Sequence, residues 1–240
     1  MKDSSEEIRK FLENIPDTFE ILEEGIDFQT QKEYIEYSDS FEKGELSEKE
    51  TLGLCNLLKK NEISTKDKKK ILTILAHSGT ILAYREIEKF NKTQNDELKK
   101  WSALALQECK MFLESELTDF SKGFISTGLG GIKDKIRFYF LILPLYNCQF
   151  SDNQQKIIAD EFNITAKEMN STIEKIDFSN EYIGITALTP LNVAVGKLIE
   201  SGIKKCNELG TFVFEYYYVT NEKLPNREEI KEVIKIVQNG

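Results

Sequence analysis

The stretch whose residue types come nearest to a binding site is SKGFISTGLGGIKDKIRFYFLILPL, residues 121–145. It places three glycines between a serine–threonine pair and a lysine. Backbone amides in such loops can bind phosphate. A P-loop, however, follows a strand and opens a helix, whereas here a helix pattern precedes the glycines and a strand pattern follows. The loop is first predicted to be a joint between domains. The alternative is an anion or ligand loop made of Ser126, Thr127, Gly128, Gly130, Gly131 and Lys133.

Side chains for acid–base, nucleophilic or metal chemistry are sparse. The chain has one histidine, His77, and four scattered cysteines without a CxxC spacing. A Ser-His-Asp or Cys-His arrangement would have to use His77, and Cys55 is expected near it if the helices stack. No HExxH, DxD or EF-hand spacing occurs. We therefore predict no catalytic residues, no metal and no cofactor, which favours a protein that is not an enzyme.

Two other groups of side chains are candidates for an interaction surface. One is a lysine cluster: Lys59, Lys60, Lys66, Lys68, Lys69 and Lys70. It suits a phosphate or an acidic partner, and the alternative is that it keeps one corner of the molecule soluble. The other is the aromatic run TFVFEYYYVTN at residues 211–221. From these two groups we predict an interaction surface that contains Lys66, Lys68, Lys69, Tyr216 and Tyr218.

The charge is negative and unevenly placed. The net charge is −9, and residues 1–50 carry sixteen acidic and six basic side chains. A negative chain repels phosphate backbones, so nucleic acid is disfavoured as a partner. The longest apolar run, residues 138–145, is too short to span a bilayer, and the N-terminus has no apolar segment of a signal peptide. We therefore expect a cytoplasmic protein with reduced thiols and no membrane partner.

Amphipathic helix patterns fill the chain before the glycine loop, and no alternating strand pattern occurs before residue 135. The first apolar stripe consists of Ile8, Phe11, Leu12 and Ile15. Further helices are predicted at about residues 17–24, 29–37, 48–60, 66–77, 80–91 and 95–117.

A faint internal repeat lies within this helical region. KKILTILAHSGTILAYREIEKFNK (69–92) and KKWSALALQECKMFLESELTDFSK (99–122) align at an offset of 30 residues with five identities. A period near 30 that contains two helices predicts stacked helical hairpins. Residues 66–122, and more loosely 48–122, resemble short HEAT-like repeats. An irregular helical bundle is the alternative.

After the glycines the predicted order becomes strand, helix, strand, strand, helix, strand. These elements are placed at residues 135–145, 151–170, 172–178, 182–188, 192–209 and 211–221, and a last helix runs from Asn226 to about Gln238. Asn192 is the expected N-cap of the second helix, and Gly210 its C′ residue. The order over 135–221 resembles the ferredoxin-like βαββαβ fold, which implies both helices on one face of an antiparallel sheet.

The predicted fold class is therefore α+β. An all-α, HEAT-like helical-hairpin region at 1–122 precedes a glycine-rich linker at 123–134 and a ferredoxin-like domain with an extra C-terminal helix at 135–240. The second face of the sheet is too apolar to lie bare in water. Its expected cover is the helical region, the C-terminal helix or a second copy of the chain, which would make a homodimer through the sheet.

Two functions follow from this architecture as hypotheses. The first is a non-enzymatic protein-interaction or scaffold protein with a protein partner, which would use the helical surface or the apolar sheet face. The second is a small-molecule-sensing regulatory protein, because βαββαβ units resemble ACT-type regulatory domains. The aromatics of residues 211–221 are also similar to those of an RRM sheet, but the Lys/Arg-Gly start of its RNP1 pattern is absent. RNA binding therefore ranks third.

Overall fold

The computed structural model describes residues 18–41, 46–95, 97–118, 122–145, 149–179 and 181–239. It contains two compact units, Met1–Ser126 and Thr127–Gly240. The predicted linker 123–134 contains this boundary. The helix predicted from the stripe of Ile8 to Ile15 lies outside the described residues. No helix in the described part of the chain is both long and apolar enough to cross a bilayer.

The described part of the first unit holds five helices and two short strands. The helices are α1 (Phe28–Ser38), α2 (Glu48–Leu58), α3 (Thr65–His77), α4 (Ile81–Thr93) and α5 (Glu97–Leu117). Strand β1 (Thr18–Ile21) pairs in parallel with β2 (Lys122–Ile125).

Side-chain caps set where the first four helices begin. Asp27, Ser47, Ser64 and Thr80 each accept a hydrogen bond from the backbone N–H three residues later. At Ser47 the cap is reciprocal, because Glu50 accepts from the Ser47 backbone amide at 2.9 Å. Such caps satisfy donors that the helix itself leaves unpaired, at about 1 kcal/mol each.

Helix α5 is central to the core of the first unit. Trp101, Leu104 and Cys109 of α5 pack in one apolar cluster with Leu72 of α3 and Ile87 of α4. The Trp101 indole N–H donates to the Lys69 carbonyl at 3.2 Å. The indole therefore links α5 to α3 with its polar atom satisfied.

Two helical predictions for this unit need correction. Residues 18–21 form strand β1 rather than part of a helix. Their pairing partner, β2, lies about a hundred residues later in the chain, so local sequence patterns do not reveal it. The second copy of the internal repeat, 99–122, is mostly the single long helix α5. The 30-residue spacing therefore does not correspond to two equal helical hairpins.

The second unit is an antiparallel sheet with three helices. Its elements are β3 (Gly131–Ile132), β4 (Lys135–Ile142), α6 (Asp152–Glu168), β5 (Thr172–Phe178), β6 (Ile183–Pro190), α7 (Val195–Glu208), β7 (Tyr218–Thr220) and α8 (Arg227–Asn239). The strand order is β3-β4-β6-β5, and β7 also pairs with β4. The predicted α+β class, with helices preceding the sheet, is confirmed.

Both faces of this sheet are covered. Phe140 and Ile142 of β4 pack with Phe162 of α6 and Leu198 of α7 on one side. Tyr139 and Leu141 pack with residues of α8 on the other side, chiefly Ile230, Val233 and Ile234. Of the three covers that the sequence left open for the second face, the C-terminal helix is the one observed within the unit.

The aromatic run 211–221 is mostly not a strand, contrary to prediction. Only Tyr218–Thr220 pairs with β4, and Val213 makes an isolated bridge to Pro144. The Asn207 side chain makes three hydrogen bonds to the backbone of this run. Its amide N–H donates to the Val213 carbonyl, and its Oδ1 accepts from the backbone amides of Phe212 and Val213. The N-cap of α7 is Ala194 rather than the predicted Asn192, and it makes no side-chain capping hydrogen bond.

The three described cysteines are free, buried thiols, and we expect them to be unreactive in the native protein. Burial raises the pKa of Cys109 and of Cys206 to about 12, from an ordinary value of 9.0. Because the thiolate is the nucleophile, its fraction at mildly alkaline pH is about a thousandfold lower than for an ordinary cysteine. In a Cys148→Ala variant, an aromatic disulfide reagent should label no thiol rapidly until denaturant is added, and then three. A fast-reacting thiol in the native variant would contradict this burial.

Candidate functional site

The glycine loop is a tightly hydrogen-bonded turn. Thr127 Oγ1 donates to the Gly130 carbonyl at 3.2 Å, and the Gly130 amide donates back to the Thr127 carbonyl. The Leu129 amide is bonded to the Asn221 carbonyl at 2.9 Å. Gly130 has a φ of 66°, and Lys133 one of 58° in the turn between β3 and β4. Two of the amides that could face an anion are thus already used, and the anion loop stays a prediction.

The two ends of the predicted anion loop belong to different units. Ser126 ends the first unit, and its hydroxyl is buried without a hydrogen-bond partner among the described residues. Gly131 begins β3 and is paired with Ile136 of β4. The close approach that requires a glycine is at Gly128, where a β-carbon would overlap the Glu222 backbone carbonyl.

The predicted lysine cluster divides between two environments. The Lys69 ammonium contacts the Glu97 carboxylate, lies 3.8 Å from that of Glu33 and sits 4.5 Å from the Trp101 ring centre. Lys66 is exposed on α3 and makes no ion pair with a described residue. Lys68 lines a cavity formed by the ends of α2 and α4 and the start of α3.

This cavity, which we call the lysine pocket, has a volume of about 410 Å³. The residues of its wall that carry charge, an amide or an aromatic ring are Lys59, Asn61, Lys68, Glu86, Lys89, Phe90 and Gln94. Glu86 is the acid of the pocket, and both Lys59 and Lys89 lie 2.6 Å from its carboxylate oxygens. These ammonium groups lower the pKa of Glu86, which keeps it charged. Lys68 has no ion pair with a described residue, so the pocket carries a net positive charge of two.

A second cavity lies in the second unit between α7 and the irregular segment 211–217. We call it the tyrosine cavity; its volume is about 830 Å³. Its polar and aromatic wall consists of Glu200, Lys204, Asn207, Glu208, Glu215, Tyr216 and Tyr217. Tyr216 is therefore placed at a cavity, whereas Tyr218 packs with Tyr139 and Leu141 beneath α8. The two tyrosines predicted to share a surface lie on different sides of the sheet.

The single histidine belongs to a buried polar network that the sequence did not reveal. Tyr34 donates to Glu108 Oε2 at 2.6 Å, and Ser38 donates to Glu108 Oε1 at 2.7 Å. His77 Nε2 lies 2.7 Å from the Ser38 hydroxyl oxygen. Since the one Ser38 proton goes to Glu108, we assign the proton of His77 to Nε2, which donates to Ser38. Burial, followed by the Glu108 charge, raises the pKa of Tyr34 well above its ordinary value.

This network does not have the geometry of a catalytic triad. In a triad the acid holds the ring nitrogen opposite the nucleophile. Here Ser38 and Glu108 both lie on the Nε2 side, and Nδ1 has no partner among the described residues. Ser38, His77 and Glu108 are each at most 8% exposed, so no substrate reaches the hydroxyl. The available clue was the position of Glu108, seven residues after Trp101 and thus on the buried face of α5.

No group of three histidine, cysteine, aspartate or glutamate side chains that could hold a metal ion occurs among residues 18–41, 46–95, 97–118, 122–145, 149–179 and 181–239.

Comparisons with known proteins return structural neighbours only. No protein-family model matches the chain, and no curated protein does so. A candidate transposase from Deinococcus radiodurans R1 is 10% identical with a TM-score of 0.35, over 44% of this chain and 90% of its own. A REP-associated tyrosine transposase bound to a REP hairpin is 9% identical with a TM-score of 0.33, over 45% of this chain and 66% of its own. At this level of similarity no activity or partner is transferred from these proteins to this chain.

These neighbours nonetheless correct two predictions. The prediction of a non-enzymatic protein-interaction or scaffold protein, with an ACT-like sensor as its alternative, is contradicted by this comparison, in which the matching structures are transposases. The partner prediction, which named a protein or a sheet-mediated homodimer and disfavoured nucleic acid, is contradicted by the same comparison, since one matching structure is bound to a REP hairpin. Its charge argument averaged over the whole chain. Residues 59–100 alone carry eleven basic and six acidic side chains, a net charge of +5.

Proposed function

We propose that this protein binds single-stranded nucleic acid, with the lysine pocket as the contact for the phosphate backbone. The observation that carries the proposal is a cavity lined by Lys59, Lys68, Lys89 and Phe90 within a basic segment of an otherwise acidic chain.

The charges of the pocket suit a phosphodiester. The wall carries three ammonium groups and one carboxylate. Glu86 holds two of the ammonium groups, those of Lys59 and Lys89, in place at 2.6 Å each. Each lysine keeps donors that the ion pair does not use, because an ammonium group has three. Lys68 is a further cation without an ion pair to a described residue. A phosphate in the pocket therefore meets lysines that are already oriented.

The other groups of the wall suit a base. Phe90 is partly exposed at the pocket, and aromatic faces stack on any base with about 1–3 kcal/mol. The Asn61 and Gln94 amides offer both a donor and an acceptor to a base edge. A base inside a duplex cannot reach a side chain within a pocket. The preferred ligand is therefore single-stranded, such as an open loop or an overhang.

Neutralising the pocket should reduce the salt dependence of binding. We expect Lys59→Gln/Lys68→Gln/Lys89→Gln to reduce the slope of log affinity against log salt by about 2, at about 0.7 per lysine on a single strand. The measurement is fluorescence anisotropy of a labelled single strand over a salt series. The matched control is Lys156→Gln/Lys167→Gln/Lys231→Gln, which removes three exposed lysines of the second unit and should leave the slope unchanged.

A folding defect can be separated from a binding defect. Removing Lys59 and Lys89 leaves Glu86 without its two partners, so thermal unfolding is measured for every variant. Lys68→Gln alone breaks no ion pair with a described residue and should still lower the slope by about 0.7. Equal slopes for the pocket and control variants, or no binding by the wild-type chain at low salt, would overturn the proposal.

A further inference from the structure

We infer that the tyrosine cavity is a binding site for an organic ammonium cation of the diamine or polyamine class. This inference is independent of nucleic-acid binding, because it concerns another unit and a ligand of the opposite charge. It rests on the cavity's size, on its charge and on an exposed aromatic ring held at its rim.

The charge of the cavity favours a cation. Three carboxylates, those of Glu200, Glu208 and Glu215, face one ammonium group, that of Lys204. Glu208 and Glu215 form no ion pair with a described residue, and Glu200 accepts only the Tyr217 hydroxyl, at 3.2 Å. The wall thus has a net charge of −2 with two carboxylates available. A phosphate would be repelled there, unlike in the lysine pocket.

An exposed aromatic ring lies at the same wall. Tyr216 is 63% exposed, and its ring centre lies 5.4 Å from that of Phe214. The segment that carries both rings is anchored by three hydrogen bonds of the Asn207 amide. These bonds fix the backbone at Phe212 and Val213, shortly before the two rings, and the exposed face of the Tyr216 ring attracts an ammonium group.

The arrangement suits an organic cation better than a metal ion. A calcium ion takes six to eight oxygen ligands at close range, and no metal-binding group of side chains occurs in the described part of the chain. In the tyrosine cavity the carboxylates come from α7 and from the segment after it, around a volume of about 830 Å³. An elongated molecule with amines at its ends can satisfy separate carboxylates and cover the Tyr216 ring at once.

Isothermal titration calorimetry with spermidine tests the site on the full chain without nucleic acid. We expect saturable binding to one site that magnesium chloride at equal ionic strength does not abolish. Tyr216→Ala should weaken binding about threefold to tenfold, whereas Tyr216→Phe, which keeps the ring, should stay within about twofold. Glu208→Gln/Glu215→Gln should weaken it at least tenfold, since it removes two carboxylates that can each accept a charge-assisted hydrogen bond from the ligand.

Asp160→Asn/Glu232→Gln is the control, because it removes two exposed carboxylates elsewhere in the same unit. Equal weakening in this control, displacement by magnesium at equal ionic strength, or no saturable heat would overturn the inference. The lysine-pocket variant Lys59→Gln/Lys68→Gln/Lys89→Gln should bind spermidine like the wild-type chain. A failure of nucleic-acid binding is thereby distinguished from a failure of this site.

Discussion

Gly128→Ala is expected to destabilise the second unit by about 3 kcal/mol, at the upper end of the usual cost of overpacking. A β-carbon at this position would overlap the backbone carbonyl of Glu222. The obstacle is main chain and cannot rotate away as a flexible side chain would. The segment is also tied down beside it, since the Leu129 amide donates to the Asn221 carbonyl at 2.9 Å. Relief therefore means breaking this contact between the glycine loop and the end of β7.

Urea unfolding followed by far-ultraviolet circular dichroism measures this effect. The fluorescence of Trp101, the single tryptophan, reports the first unit and should be unchanged. Gly53→Ala is the control, because a β-carbon at this exposed position of α2 meets no atom within 4 Å. It should stabilise the first unit by about 0.5–1 kcal/mol through helix propensity. A Gly128→Ala variant as stable as the wild-type chain would show that the loop is not closely packed.

Glu108→Leu is expected to destabilise the first unit by about 3 kcal/mol. The Glu108 carboxylate accepts from the Tyr34 and Ser38 hydroxyls at 2.6 and 2.7 Å, and all three side chains are buried. Without it, both hydroxyls lose their acceptor where water cannot replace it. A buried polar group left unsatisfied costs about 1–3 kcal/mol. The destabilisation should appear in Trp101 fluorescence, because the Tyr34 and Trp101 ring centres lie 5.0 Å apart.

A partial rescue distinguishes this network from a simple loss of packing. Removing both partners of a buried hydrogen bond is less costly than removing one. Tyr34→Phe/Glu108→Leu should therefore recover about 1 kcal/mol relative to Glu108→Leu. Strict additivity of the two substitutions would contradict the coupling. A Glu108→Leu variant with an unchanged free energy of unfolding would also contradict it, because the carboxylate would then not stabilise the first unit.

The sequence alone was sufficient to predict helix caps, the order of elements and the lysine cluster. Ser151 caps α6 in a reciprocal box with Gln154, and a serine followed three residues later by a glutamine is the local sequence signature of such a cap. Apart from the short strand β3, the elements after the glycines occur in the predicted order, because alternation and helical periodicity report which side of each segment is buried. The lysine cluster was also predicted, but Lys68 and Lys69, which are adjacent in sequence, lie in different environments. Their side chains leave α3 in different directions, so Lys68 lines the lysine pocket whereas Lys69 pairs with Glu97.

Contacts between distant segments were decided by the tertiary structure alone. Strand β1 exists because β2 offers it hydrogen bonds, and residues 18–21 carry no strand pattern of their own. Tyr34 and Glu108 are 74 residues apart, and no local pattern pairs them. The run 211–217 reads as a strand from its aromatic residues, yet Asn207 holds it in an irregular path that leaves Tyr216 exposed. Periodicity shows which side of a segment is buried. Which segment covers that side depends on how all the other segments of the chain pack, and a local pattern does not contain this information.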